Sequence, residues 1–322
     1  MAQMEMVHPT CVADAAAALA KRGAVALAGA TDLIPSIRKR EIAPRLLVNL
    51  KSITGLSGIK RVRGGVRIGA LTTVAELLRS EIIAAELPLL REVAYGFASV
   101  QIRNLATVGG NLCTASPSAD LALPLLVLDA VLEAHGPRGA KDIDVADFFL
   151  GAGASPPQPS GVTVARGGSS ASAANRTALR RGEILTAITI PKLRAHTGAA
   201  HAKLGIRQAM DLAFVGVAAA VQLAPDGRKC RTARIALGSV APIPMRARKA
   251  EALLEGQPLT DELIAEAAAA AAAESRPISD LRASKEYRRQ MVEVLTRRAL
   301  HEALRRAAVA QIPRPAAAKE DR

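Results

Sequence analysis

The sequence predicts an α+β fold spread over more than one domain. Three observations carry this. The chain has 322 residues, more than a single core usually organises. Strand and helix signals alternate without a regular period, and no internal repeat is present. The last third turns helical after a stretch of short, glycine-punctuated strands. Half of the residues are hydrophobic, yet only 2% are aromatic and there is no Trp, so any core must be assembled largely from small aliphatic side chains.

Thr10 is placed to cap a helix running to about Arg22, with Val12, Ala16, Leu19 and Ala20 on one face and Gly23 stopping it. A short strand follows at Val25–Ala28, breaks at Gly29-Ala30-Thr31-Asp32, and gives way to a short helix opening Leu33-Ile34-Pro35. Leu46–Leu50 reads as the next strand, and Ile59–Val62 and Val66–Gly69 as two more. Val74–Ser80 and Leu87–Ser99 read as helices. Thr107–Asn111 reads as a glycine-bearing bend, and the apolar Leu121–Ala130 precedes a strand at Val131–Ala134. Residues 154–175 hold two valines as their only large apolar side chains, too little burial to offset ordering, and read as a linker or insertion. Beyond it, Ile184–Ile190, Val215–Leu223 and Ala233–Val240 read as strands. Arg246–Leu254, Asp261–Ser275 and Ser284–Ala308 read as helices, the last with Tyr287, Met291, Leu295 and Ala299 stepping along one face.

Composition excludes several function classes. Cys11, Cys113 and Cys230 are far apart, so they form neither a disulfide framework nor a cluster site; an iron–sulfur cluster normally takes four thiolates. The net charge of +14 raises nucleic acid as a partner, but the basic residues are scattered and aromatics for base stacking are scarce. An ordinary basic surface, or a face for a more acidic partner, fits better. No basic segment precedes an apolar stretch at the start and no long apolar run occurs, so a cytoplasmic protein without a membrane span is expected. His8, His135, His196, His201 and His301 form no metal pair, and His196 and His201 read as surface residues.

Two bends carry the chemistry. In Thr107-Val108-Gly109-Gly110-Asn111 the paired glycines allow consecutive backbone N–H groups to converge, which suits a phosphate oxygen, and Asp120 stands ready to accept from a sugar hydroxyl. Ala28-Gly29-Ala30-Thr31-Asp32 is a second bend between a strand and a helix start, where the helix dipole favours an anion. Either alone is compatible with a plain turn; together they point to a dinucleotide gripped from two sides. The usual dinucleotide fingerprint is missing, because Gly151-Ala152-Gly153 is followed by Pro156 where a third glycine belongs.

These residues resemble the FAD-binding medium subunits of the molybdenum hydroxylases, the carbon monoxide dehydrogenase and xanthine dehydrogenase type enzymes. AGATD (28–32) resembles the first flavin loop, usually AGGTD or AGGHS, and 102–130 the second flavin loop and its continuation. Segments 203–221, 236–254 and 279–300 resemble the family's C-terminal domain. The resemblance implies a PCMH-type FAD-binding fold of two α/β subdomains plus a C-terminal α+β domain. The units are expected at 1–53, 54–153 and 183–308, with an insertion at 154–182 and a tail at 309–322. It also implies non-covalent FAD held by Ala28, Gly29, Ala30, Thr31, Asp32 and Leu33 on one side and Thr107, Gly109, Gly110 and Asn111 on the other. Asp120 falls on a sugar hydroxyl, Phe97 and Leu185 beside the isoalloxazine ring, and Lys203 as a basic residue near the flavin. No residue is assigned a catalytic or metal-binding role. Ala30 replaces the common second glycine and is tolerable only at negative φ.

The implied partners are a large molybdopterin subunit and a small subunit with two [2Fe–2S] clusters, in a dimer of heterotrimers. The implied role is electron transfer to NAD+, a quinone or another acceptor. The alternatives are a self-sufficient flavin oxidoreductase of the same fold and a basic binding protein that has lost its flavin.

Overall fold

The computed structural model describes residues 4–150, 176–207 and 210–309. The first unit comprises β1 (Glu5–Val7), α1 (Val12–Leu19), β2 (Ala24–Leu27), α2 (Leu33–Arg38) and β3 (Leu46–Asn49). Its three strands pair in parallel, in the order β1-β3-β2. The cap of α1 falls one residue later than expected, because the Cys11 sulfur, rather than Thr10, accepts from the Asp14 N–H.

The second unit holds β4 (Ile59–Val62), β5 (Gly65–Gly69), α3 (Val74–Arg79), α4 (Glu81–Glu86), α5 (Pro88–Tyr95), α6 (Val100–Arg103), α7 (Val108–Thr114) and α8 (Ala122–Val127). It continues with β6 (Val131–Gly136), β7 (Gly139–Asp144), α9 (Val145–Phe148) and β8 (Ile184–Pro191). A capping box of Thr73 and Glu76 fixes the start of α3. The sheet is antiparallel, in the order β4-β5-β8-β6-β7. Here the expected boundary at 183 fails: β8, assigned from sequence to the C-terminal unit, lies between β5 and β6 at the centre of this sheet. Its buried apolar residues, Leu185, Ile188 and Ile190, pack in the core of the second unit, Thr189 on it bonds to Glu133 of β6, and its first residue, Ile184, also enters the core of the first unit. The expected insertion is corrected at its far end too. Thr177 is buried and bridges to Phe149, and Ala178 N–H donates to Phe148 O at 2.8 Å. Residues 154–175 themselves lie outside the described residues.

The third unit is a four-stranded antiparallel sheet, β12-β11-β10-β9, from β9 (Thr197–Leu204), β10 (Val215–Leu223), β11 (Cys230–Gly238) and β12 (Met245–Arg246). Against it pack α10 (Arg248–Leu254), α11 (Asp261–Glu274) and α12 (Lys285–Val309). Every residue of β10 is buried, because α12 covers one face of the sheet while the second unit covers the other. Small side chains make this double cover possible. The alanines of α11 at 267, 268, 271 and 272 are all buried, so the alanine run is a close-packing surface. The buried stripe of α12 is Arg288, Val292, Leu295, Thr296, Ala299, Leu300, Ala303 and Ala307; of the expected face Leu295 and Ala299 are buried and Met291 packs at its edge, while Tyr287 is corrected to an exposed position, at 43%.

Candidate functional site

The first bend leaves β2 at Leu27 and turns into α2. Ala30 sits at φ 64°, the left-handed region, against the expectation of a negative value. Asp32 occupies the cap position of α2 without capping it, and instead its Oδ2 lies 3.3 Å from the hydroxyl of Thr114. Ahead of it, the backbone N–H groups of Gly29, Ala30, Thr31 and Asp32 itself have no acceptor among the described residues. A left-handed residue within such a turn lets successive amides face one concavity, and the helix start adds partial positive charge.

The second bend is not the loop that its glycines suggest. Thr107 is the N-cap of α7, its hydroxyl accepting from Gly110 N–H at 3.0 Å, so the two glycines form the first turn of a helix. Its amides are already used: Val108 donates to Thr72 O, Gly109 to Ala70 O at 2.8 Å, and Asn111 to Thr107 O. The expectation that this bend supplies a row of free N–H donors is therefore corrected. What it offers is shape and side chains. A Cβ on Gly110 would meet only the Thr107 hydroxyl within 4 Å, so its outer side is bare backbone. The Asn111 Oδ1 accepts from Leu121 N–H, and its Nδ2 has no hydrogen-bond partner among the described residues. Thr114, which the sequence reading missed, is the residue whose hydroxyl joins the two bends; recognising α7 as a helix would have placed it one turn beyond Gly110, whose O lies 2.9 Å from it.

The two bends touch. A Cβ at Gly29 would fall 2.0 Å from Leu105 O, just before Thr107, so the approach requires glycine. Gly109 is pressed less closely, against Ala70, where a Cβ would stand 2.8 Å from its O. Leu33 and Ala28 flank the first bend, half-buried.

From the third unit, Lys203 on β9 reaches across to Asp120, Nζ to Oδ2 at 2.8 Å. The structure thus joins two residues expected to act separately. Burial of Asp120 pushes its carboxyl above the usual range, and Lys203 offsets this only in part. Two positions before Lys203 on the same strand face stands His201. It is not a surface residue: its Nε2 is sealed without a hydrogen-bond partner, and burial, aided by the nearby Lys203 charge, holds its pKa down to about 4. Phe97 and Leu185, at 9% and 4% exposure, belong to the apolar core of the second unit beneath the bends. Cys113 on α7 is a protonated thiol, pushed up to about 12 by burial.

Ala30 yields a direct stability prediction. A non-glycine residue in the left-handed region costs about 1–2 kcal/mol, partly offset by the stiffer unfolded chain. Ala30→Gly is expected to raise the thermal midpoint by a degree or two and to leave ligand binding intact; a lowered midpoint would show that the turn carries no strain.

Comparison with known proteins follows the same lines. Residues 2–193 match the family described as FAD binding domain in molybdopterin dehydrogenase, and residues 200–303 the CO dehydrogenase flavoprotein C-terminal domain. The chain is 38% identical over 302 residues to the carbon monoxide dehydrogenase medium chain of Afipia carboxidovorans, covering 93% of this chain and 96% of that one. It is 33% identical to the xanthine dehydrogenase FAD-binding subunit of Escherichia coli O157:H7, covering 86% and 88%. The solved carbon monoxide dehydrogenase from Hydrogenophaga pseudoflava superposes with a TM-score of 0.84 at 32% identity, covering 94% of this chain and 98% of that one.

Proposed function

Since the chain belongs to the FAD-binding medium subunits of the molybdenum hydroxylases, we propose that it holds FAD between its two bends and serves as the electron outlet of a three-subunit complex. The observation that carries the site is the unsatisfied amide row from Gly29 to Asp32, joined to the second bend by the contact of Asp32 with the Thr114 hydroxyl. A diphosphate needs preorganised donors and a polyol needs hydroxyl and amide partners, and both are present within one contact surface. The fit is better than the sequence alone implied on the first bend, and different on the second.

In this reading Gly29, Ala30, Thr31 and Asp32 bind the diphosphate through backbone N–H groups, with Ala28 and Leu33 shaping the entry. Thr107, Gly109, Gly110 and Asn111 close the other side, the glycines by allowing close approach. Asp120 keeps Oδ1 available for a sugar hydroxyl while Oδ2 stays paired with Lys203, so the ion pair positions the acceptor. Lys203 supplies positive charge near the ring, and Phe97 and Leu185 stiffen the apolar wall. Bound FAD supplies the redox chemistry, taking electrons from [2Fe–2S] clusters of a small partner subunit and passing them to an external acceptor such as NAD+ or a quinone. Substrate oxidation belongs to a large molybdopterin subunit. We further place the complex in the cytoplasm, as a dimer of heterotrimers; no helix among the described residues is long and apolar enough to cross a membrane.

The purified chain is expected to take up one FAD, release it on acid precipitation, and show no hydroxylase turnover alone. Recovery of the tagged chain from its host should bring Mo and Fe with it. Flavin that stays attached after denaturation, or turnover of an organic substrate by this chain alone, would favour the self-sufficient oxidoreductase instead. Cys113, as a protonated thiol, is poorly suited to a covalent flavin link.

A further inference from the structure

Arg288 lies on α12, outside both flavin bends, and is 3% exposed. Its Nη1 donates to Phe214 O at 3.0 Å and to Ser239 O at 3.1 Å, while Nη2 donates to Asp280 Oδ1 at 2.7 Å. Its guanidinium also stands over the Phe214 ring, 6.0 Å from the centroid. Phe214 leads into β10, and Ser239 immediately follows β11. One buried cation therefore pins the matching ends of the two central strands of the third sheet.

Ser239 is the consequential partner. Its backbone is left-handed, φ 65°, a conformation that serine adopts only when held. Held there, its N–H donates to Pro117 O at 2.7 Å and its hydroxyl meets the Ser118 hydroxyl at 2.9 Å. Pro117 and Ser118 lie between α7 and Asp120, the stretch that ties the second bend to the Lys203 ion pair. Two glycines of the same sheet, Gly216 and Gly238, abut Leu123 just beyond, where a Cβ would stand 2.8 Å and 3.1 Å from its methyl carbon. The third unit thus grips residues 117–123 by its strand ends, and Arg288 is what keeps those ends in place.

We propose that Arg288 is a positioning residue for FAD, acting through Ser239 on the 117–120 segment from the opposite side of the third sheet. The proposal rests on the FAD-subunit reading above. Without the guanidinium, two buried carbonyls lose their donor and Ser239 relaxes out of the left-handed region. Pro117 and Ser118 are then released, and Asp120 no longer presents its free oxygen at a fixed place.

The test compares FAD affinity, by flavin fluorescence quenching in the full chain, with the visible circular dichroism of the bound flavin at saturating FAD. Arg288→Met is expected to weaken FAD by about tenfold and to alter the dichroism; Arg288→Lys, which keeps the charge, should recover part of both. Ser239→Gly retains the backbone geometry but removes the hydroxyl contact, so it should weaken FAD by about threefold even if the Arg288 variants fold poorly. Asp129→Asn is the control. Asp129 joins the second and third units through Arg234 and Arg246 beyond the C-terminal end of α8, whereas residues 117–120 precede its start, so loss of Asp129 should lower the melting temperature and leave FAD affinity unchanged. Unchanged affinity and dichroism in Ser239→Gly, or in a folded Arg288→Met, would overturn the proposal, as would an equal loss in Asp129→Asn. If the unaltered chain takes up no FAD, the FAD-subunit reading fails first and this inference falls with it.

Discussion

Gly29→Ala is expected to abolish useful FAD binding, with affinity falling by about a hundredfold or more, and to cost about 1–3 kcal/mol of stability. The added methyl would stand 2.0 Å from Leu105 O and 2.8 Å from its carbonyl carbon. Both are backbone atoms, so no side-chain rotation relieves the overlap; the two bends must separate. Separation stretches the Thr114–Asp32 contact and opens the space between the amide row and the second bend. Gly110→Ala is the informative companion, since its Cβ would meet only the Thr107 hydroxyl and otherwise face open space. That variant should lose only about 1 kcal/mol of stability as the Thr107 hydroxyl, 2.8 Å from the new methyl, gives way, and should bind FAD more weakly, because the methyl occupies the ligand's approach. Calorimetric titration with FAD alongside thermal melting separates the cases. A Gly29→Ala protein with parental melting and parental affinity would show that the bends do not need to touch.

Acid sensitivity through His201 is the second large effect. Its folded pKa of about 4 lies below the ordinary 6.5 because burial, first, and the Lys203 charge, second, disfavour the imidazolium. Below pH 6.5 the unfolded chain therefore binds a proton that the folded chain refuses, so stability is lost as pH falls from 6.5 toward 4. The difference of two to three pH units corresponds to a loss of up to about 3 kcal/mol. His201→Leu should flatten this slope: urea midpoints of parent and variant should diverge between pH 7 and pH 4.5, the parent falling faster. Other groups contribute in both directions. The carboxylate of Glu133, lowered chiefly by the Arg67 hydrogen bond, also loses stabilisation in acid, whereas buried Asp120, its pKa raised, gains. Both are common to the two proteins and cancel in the comparison. Parallel pH profiles would mean that the imidazole gains solvent access on protonation.

Much of the architecture was legible along the chain because it is local. Glycine at Gly23 and Gly69 and proline at Pro191 punctuate elements whose apolar spacing declares their type. The strands from Leu46, Ile59, Ile184 and Val215 and the three C-terminal helices all stand within a few residues of where periodicity put them. Four strands escaped notice, β1, β7, β9 and β12, of which β7 and β9 are the long ones. Gly139–Asp144 is mostly polar and pairs only at the sheet edge, and Thr197–Leu204 is built from Gly, Ala, His and Lys, which carry no strong strand signal. Both form because a neighbouring strand accepts them. The family was legible for another reason: short glycine-bearing bends leave a recognisable string of residues wherever backbone must approach a ligand.

Residue order along the chain thus settles the kind of molecule this is, since element type and bend chemistry depend on neighbours a few positions apart. Only the folded chain decides which amides remain free, and the answer reversed an expectation. The bend with two adjacent glycines spends its N–H groups on Ala70, Thr72 and Thr107, while the bend with one glycine leaves four amides open. Likewise no spacing rule connects Lys203 to Asp120, or Arg288 to Ser239 and thence to Pro117. Those pairings exist because hydrogen bonds and packing bring distant segments within about 3 Å, and a linear pattern carries no record of contacts made across such separations.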